Sequence, residues 1–309
     1  MISRRNIRVK VMQLLYIIES AKDPECFKNP VQQLENNFKK TGELFVYLLY
    51  FLTEVAKYAE QDARLKASKN ITSFEDLNVN TKIAGNQILW NILELPAIQE
   101  AIKSNQPDKM IDRELIKKIY QNMIVSSEYK TYILEQGRDL KKEKAILLYI
   151  FNQFILPNED FEAHVEDYFP NWQDDGDVMM QFITEIIQKP AASNFPQLLS
   201  EDKWKFAKDL LMTAIEKKDF TLSIIKPKLN NWDAERIALL DMIIMRLGVC
   251  EFLYFETIPT KVTINEYIDI AKEYSTPQSG HFVNGILDSI HKELVFVGKI
   301  EKVEFKSGQ

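Results

Sequence analysis

Apolar residues in the first twenty positions recur with a helical period. Ile7, Val11, Leu14 and Ile18 stand at i, i+4, i+7 and i+11, which gathers them on one stripe of a helix over 4–20. Arg5, Arg8, Met12 and Tyr16 lie on its flank, and Lys22-Asp23-Pro24 ends the segment. The most apolar stretch, TGELFVYLLYFLTEVAKYAEQDARLKAS, predicts a helix over 41–68, read either as core or as the filler of a partner's groove. Further helical patterns fall at about 82–104, 112–135, 141–155, 160–169 and 175–188, with breaks near Pro107, Pro157, Pro170 and Pro190. PAASNFPQLLS, residues 190–200, is the linker candidate. The last third reads as a helical array: 201–217, 219–230, 233–255, 261–274 and 277–296. Thr263 with Glu266 fits a capping box, as does Ser275 with Gln278, and Thr276-Pro277 places a proline where a helix can begin. The tail 297–309 reads as frayed or as a short extended piece. Strand alternation is missing throughout, so the predicted fold class is all-α.

One internal echo stands out. DFEAHVEDYFPNWQ (160–173) and DFTLSIIKPKLNNWD (219–233) both run from Asp-Phe to Asn-Trp and then meet an apolar helix. A repeated helical packing unit and chance both account for it.

Composition narrows the class. Apolar residues make up 46% and charged residues 27%, as in a soluble globular chain. Only 9 glycines occur in 309 residues, which favours helices over a turn-rich fold. The formal charge is -6, so nucleic-acid binding needs a local basic patch. Cys26 and Cys250 are too few for a disulfide framework or a zinc cluster. No apolar run reaches the ~20 residues that span a bilayer, and no signal cleavage site follows the basic start. The expected location is cytoplasmic.

Chemistry-bearing constellations are few. His164, His281 and His291 sit in no metal-ligand spacing, so no metal is expected. There is no Walker loop, GxGxxG or GxSxG, hence no cofactor and no reason to expect an enzyme. Residues 159–177 hold eight acids and no Lys or Arg. A calcium loop, a docking surface for a basic partner and a solvated helix face are the readings, and EF-hand spacing is missing. Arg4, Arg5, Arg8 and Lys10 form a basic start with no acid before Glu19, read either as solvated or as a phosphate-holding turn.

STPQSGHFVNGILDSI, residues 275–290, spends two glycines on a helix, each at a cost of about 1 kcal/mol against Ala. On a helical wheel Phe282, Ile286, Leu287 and Ile290 form the core stripe. His281, Asn284 and Asp288 gather opposite, with Gly285 beside them. Close helix packing and close approach of a ligand both explain the glycines.

The residues that carry a family resemblance lie here. RLGVCEFLYFETIPTKVTINEYIDIAKEYSTPQSGHFVNGILD (246–288) contains R-L-x-x-x-E, I-P-x-K-V-x-I-N-E, the A-K-x-x-S run and S-x-x-F-V-N-G-x-L-D. It resembles the C-terminal half of NusB, the bacterial transcription antitermination factor. RRNIRVKVMQLLY is similar to that family's arginine-rich first helix, matching at Arg4, Arg5, Arg8, Gln13, Leu15 and Tyr16. The resemblance covers about 1–20 and 204–295. It implies two packed helical bundles formed by 1–20 and 201–296, with a large all-helical insertion at 21–200 and a tail at 297–309.

It also implies a function: binding boxA RNA of ribosomal RNA operons together with the ribosomal protein NusE, and joining the RNA polymerase antitermination complex. The implied RNA surface is Arg4, Arg5, Arg8, Lys10, Gln278, Ser279, His281, Phe282 and Asn284; the implied partner surface is Tyr16 and Asp241. Two family positions differ: the glutamate after the third arginine is Val9, and the acidic residue before the serine is Gln278. The second exchange removes negative charge from the RNA face. The rivals are a NusB-like domain within an RNA-modifying enzyme, which the missing cofactor loop disfavours, and a protein-interaction scaffold with little RNA binding.

Overall fold

A computed structural model of the protein describes residues 2–21, 28–190, 199–229 and 237–302. Cys26 and the Asn-Trp end of the second echo segment lie outside them. In chain order the helices are α1 (Arg4–Ser20), α2 (Pro30–Ala67), α3 (Phe74–Leu77), α4 (Gln87–Leu93), α5 (Pro96–Asn105), α6 (Arg113–Ile124), α7 (Ser127–Leu134) and α8 (Leu140–Ile150). They continue with α9 (Glu159–Tyr168), α10 (Trp172–Gln188), α11 (Glu201–Glu216), α12 (Lys218–Ile225), α13 (Leu239–Tyr254), α14 (Thr260–Tyr274) and α15 (Ser279–Phe296). No strand occurs among the described residues, as the all-α reading requires. No helix among them is long and apolar enough to cross a membrane.

The chain divides into two compact units. One comprises the described residues of Lys39–Leu198, the other those of Ile2–Phe38 and Leu199–Gln309. In the first, α2 supplies the core: Leu44 through Leu49, Phe51, Leu52, Val55 and Ala56 are all buried, which makes the apolar stretch a core helix. Several predicted helices divide where local chemistry stops them. Pro96 opens α5 at its first position, where its missing N–H costs nothing. Ser126 caps α7 by accepting from the Tyr129 amide at 3.3 Å, so the 112–135 pattern becomes two helices. Past α8 the ladder widens to i→i+5 over Phe151–Ile155, with the Leu156 amide on the Phe151 carbonyl at 2.9 Å. The acidic run on α9 and α10 is mostly solvated. No metal-holding group of acids, histidines and cysteines occurs among the described residues.

In the second unit α13 is the central element. It packs against α1, α11, α12, α14 and α15, and is buried almost all round from Ile243 to Phe252. Gly248 permits this: a Cβ there would stand 2.9 Å from Leu287 Cδ2 of α15. Cys250 is buried on α13, and burial pushes its thiol up to about 12, so it is an inert hydrophobe.

Two buried arginines fasten the bundle. Arg8, 2% exposed, donates from Nε and Nη2 to the two oxygens of Glu251 at 2.6 and 3.0 Å. Glu251, 0% exposed, also accepts from Thr263 Oγ1 at 2.9 Å and Tyr267 OH at 2.8 Å. Arg246 bonds Glu19 and the Ala214 carbonyl, tying α13 to α1 and α11. The expected capping box at Thr263 is therefore corrected. Pro259 already provides the N-cap, and Thr263 spends its hydroxyl on Glu251.

Arg8→Met leaves the buried Glu251 carboxylate without its counter-charge. Breaking a buried pair this way costs about 3–5 kcal/mol, whereas removing both charges costs much less. Urea unfolding should show a large fall in midpoint for Arg8→Met and partial recovery in Arg8→Met/Glu251→Met. An unchanged midpoint in the single variant refutes the clasp.

Candidate nucleic-acid interface

The first turn of α1 begins at Ser3, whose hydroxyl accepts from the Asn6 amide at 3.2 Å. The basic residues that follow part company. Arg4 is exposed and stands 5.6 Å from the Phe206 ring centroid. Arg5 is half-exposed and bonds Glu273 of α14 at 2.7 Å. Arg8 is sequestered by Glu251, and Lys10 is buried as well. Burial thus corrects the expectation that four cations line one surface. Arg8 cannot leave Glu251 without stranding a buried carboxylate, and its guanidinium is held charged, its pKa raised: burial opposes this but the Glu251 bonds outweigh it.

The start of α15 is built differently from a capping box. Its N-cap is Gln278, whose side chain makes no cap bond. Ser279, 3% exposed, instead donates to Asp241 Oδ2 at 2.8 Å and lies within hydrogen-bond distance of the Ser275 and Thr276 hydroxyls. Ser279, expected on the RNA surface, and Asp241, expected on the partner surface, are therefore both buried and bonded to each other. Gln278, His281 and Asn284 are exposed, and Phe282 is half-buried. Val283, Ile286, Leu287, Ile290 and Leu294 make the core stripe, with Val283 where Phe282 was expected.

The two glycines of α15 have different causes. A Cβ on Gly280 would come within 2.6 Å of Lys272 Cγ, so its absence lets the Lys272 stem lie across the first turn of α15. Nothing stands within 4 Å of a Cβ built on Gly285. Packing therefore explains the first glycine and not the second, which leaves an open stretch of exposed helix beside Asn284. Lys272 is a cation that motif reasoning passed over. Its ammonium is exposed, bonding Asp269 at 3.1 Å, and the glycine eight residues on was its only sequence signal.

The Arg5–Glu273 bond joins the start of α1 to the end of α14, five residues before Gln278. α1 itself packs on α11 and α13, and α14 packs on α15. Arg4, Arg5, Lys272, Gln278, His281 and Asn284 are thus carried on three adjoining helix ends. Tyr16 is elsewhere on α1, eleven residues or about 17 Å along the axis from Arg5. It is 44% exposed, next to the exposed Ile17. Below it Glu19 is held under the usual carboxylate range: burial pushes its pKa up, but bonds from Lys218 and Arg246 prevail.

The chain is similar in sequence to known proteins. The model described as "NusB family" matches residues 171–292. The transcription antitermination protein NusB of Salinibacter ruber is 35% identical over 143 residues, covering 46% of this chain and 84% of that protein. Its counterpart in Thermodesulfovibrio yellowstonii is 42% identical over 112 residues, 36% of this chain and 74% of the relative. That of Finegoldia magna is 42% identical over 96 residues, 31% and 70%. The chain belongs to the NusB family. No solved structure was found to match it. The NusB match starts at 171, upstream of the 201 expected for the core, and the first helix lies outside it.

The contrast between the glycines is measurable. Gly285→Ala should stabilise the protein by up to about 1 kcal/mol, because an exposed helix interior gains propensity and meets no neighbour. Gly280→Ala should destabilise it by about 1–3 kcal/mol through the clash with the Lys272 stem. Thermal unfolding of the two variants should give shifts of opposite sign; shifts of the same sign refute the assignment.

Proposed function

We propose that this NusB-family chain is an antitermination adaptor that binds boxA-type single-stranded RNA together with NusE and joins the RNA polymerase antitermination complex. The observation that carries the RNA part is the Arg5–Glu273 contact, which ties the cationic start of α1 to the end of α14, the helix that packs on α15. Arg4, Arg5 and Lys272 hold phosphates, by charge-assisted hydrogen bonds and counterion release. Gln278, His281 and Asn284 meet unstacked bases, the half-buried Phe282 lies beside them, and Gly285 lets the backbone approach. Ser279 acts by fixing α15 to Asp241 rather than by touching RNA. Arg8 and Lys10 support the fold.

NusE docks at Tyr16 and the neighbouring Ile17, where an aromatic ring and an aliphatic side chain are exposed together. Asp241 contributes by holding the two helix starts in register. The discontinuous core of 1–20 and 201–296 carries both surfaces, and 21–200 is an insertion into it. The chain works in the cytoplasm and has no cofactor.

With three phosphate-holding cations the single-strand salt slope should be about -2, against about -3 for four. Anisotropy of labelled boxA RNA and a scrambled control, over a salt series with and without NusE, tests this. Binding that prefers boxA and tightens with NusE is expected. Asn284→Ala should lower the preference between the two RNAs, and Arg4→Gln should weaken both alike. Equal binding to both RNAs, unmoved by NusE, overturns the adaptor reading in favour of a scaffold.

A further inference from the structure

Arg5 and Arg8 lie one turn apart on α1, and each is paired with a carboxylate from the far end of the sequence. The pairs differ in depth. Arg8 and Glu251 are sealed, with side chains 2% and 0% exposed, whereas Arg5 and Glu273 are 35% and 54% exposed. An exposed pair contributes little to stability and exchanges partners readily. The first turn of α1 contains no acid, so Glu273 is the counter-charge that α1 itself does not supply to Arg5. Its carboxylate oxygen receives Nη2 at 2.7 Å, as a phosphate oxygen would.

We infer that Glu273 is a resident counter-ion occupying the place of an RNA phosphate on Arg5, and that it sets the RNA affinity of this surface. The inference rests on the RNA-binding reading above. Phosphate displaces the Glu273 carboxylate from the guanidinium. The released carboxylate then stands within a few ångströms of the incoming phosphate, and like charges at about 7 Å in water weaken binding by about threefold. The freed carboxylate also takes up a cation from solution, which offsets part of the counterion release and flattens the salt slope. Glu273 thus acts as a specificity-setting residue, favouring ligands that offer Arg5 a stronger acceptor than its own.

The test is a double-mutant cycle on the full chain with labelled boxA RNA. Glu273→Gln should bind about threefold tighter than the parent, with a steeper salt slope and an unfolding midpoint close to the parent's. In an Arg5→Gln background the same change should have much less effect, since no guanidinium then holds a phosphate beside the carboxylate. Glu216→Gln removes one charge from the exposed surface of α11 and should leave affinity nearly unchanged. An unchanged affinity in Glu273→Gln, or an equal gain with and without Arg5, or an equal gain in Glu216→Gln, overturns the inference while leaving RNA binding in place. Absence of boxA binding in both parent and Glu273→Gln overturns the RNA reading, and this inference with it.

Discussion

The Glu251 carboxylate is the point from which the second unit is organised. Burying a charge pair is costly, and it persists only where the remaining lone pairs and protons are also satisfied. Here four donors converge on one carboxylate: two nitrogens of Arg8, the Thr263 hydroxyl and the Tyr267 phenol. They come from α1 and α14, while Glu251 itself stands on α13. Lys302 closes the far side by donating to the Glu251 and Phe255 carbonyls at 2.7 and 2.8 Å. Neutralising this carboxylate would loosen three helices together. Its geometry also fixes how α1 is rotated. With Arg8 turned inward, Arg5 is carried towards the end of α14, and Arg4 and Arg8 both stand 5.6 Å from Phe206.

Much of this architecture was legible from periodicity. Of the stripe Ile7, Val11, Leu14 and Ile18, the first three are buried and Ile18 is only half-buried, and the array of the last third corresponds to α11 through α15. What periodicity could not supply was depth. A wheel places Arg8 on the flank of the stripe, and whether a flank residue is solvated depends on what lies opposite. Its partner is 243 residues away. The capping boxes failed for a related reason. Thr263 and Ser275 have the right side chains at the right spacing, but a hydroxyl bonds whatever acceptor is nearest, and tertiary packing offered Thr263 a carboxylate. Gly280 and Gly285 look alike in sequence, and only the position of the Lys272 stem separates them.

Of the expected interface residues, those whose role needs only an exposed helix face were the readable ones: Arg4, Gln278, His281 and Asn284 are at the surface. Those at helix starts were less so. Ser279 and Asp241 are small polar residues where two elements meet, and such residues are drawn into satisfying each other. Their 2.8 Å bond ties the first turn of α13 to the first turn of α15. The exposed face of α15 is therefore positioned by a buried polar contact, and a substitution at Asp241 would reach that face without touching it.

Charge is divided unevenly between the two units. Residues 39–198 carry 18 Lys or Arg against 24 Asp or Glu, while the rest of the chain carries 21 of each. The whole formal charge of -6 therefore belongs to residues 39–198, most of which lie upstream of the NusB match. Attraction of a polyanion by net field is thereby ruled out for either part, since one is negative and the other neutral. At physiological salt, charges act over only about 8 Å, so affinity for phosphate must come from cations close enough to touch it. That places the weight on Arg4, Arg5 and Lys272, and on whichever acids stand beside them. Two of these three cations already have a claimant: Arg5 and Lys272 are held by Glu273 and Asp269. On the proposed RNA surface, recognition would be an exchange of acceptors, governed by the difference between what a phosphate offers and what the protein already provides.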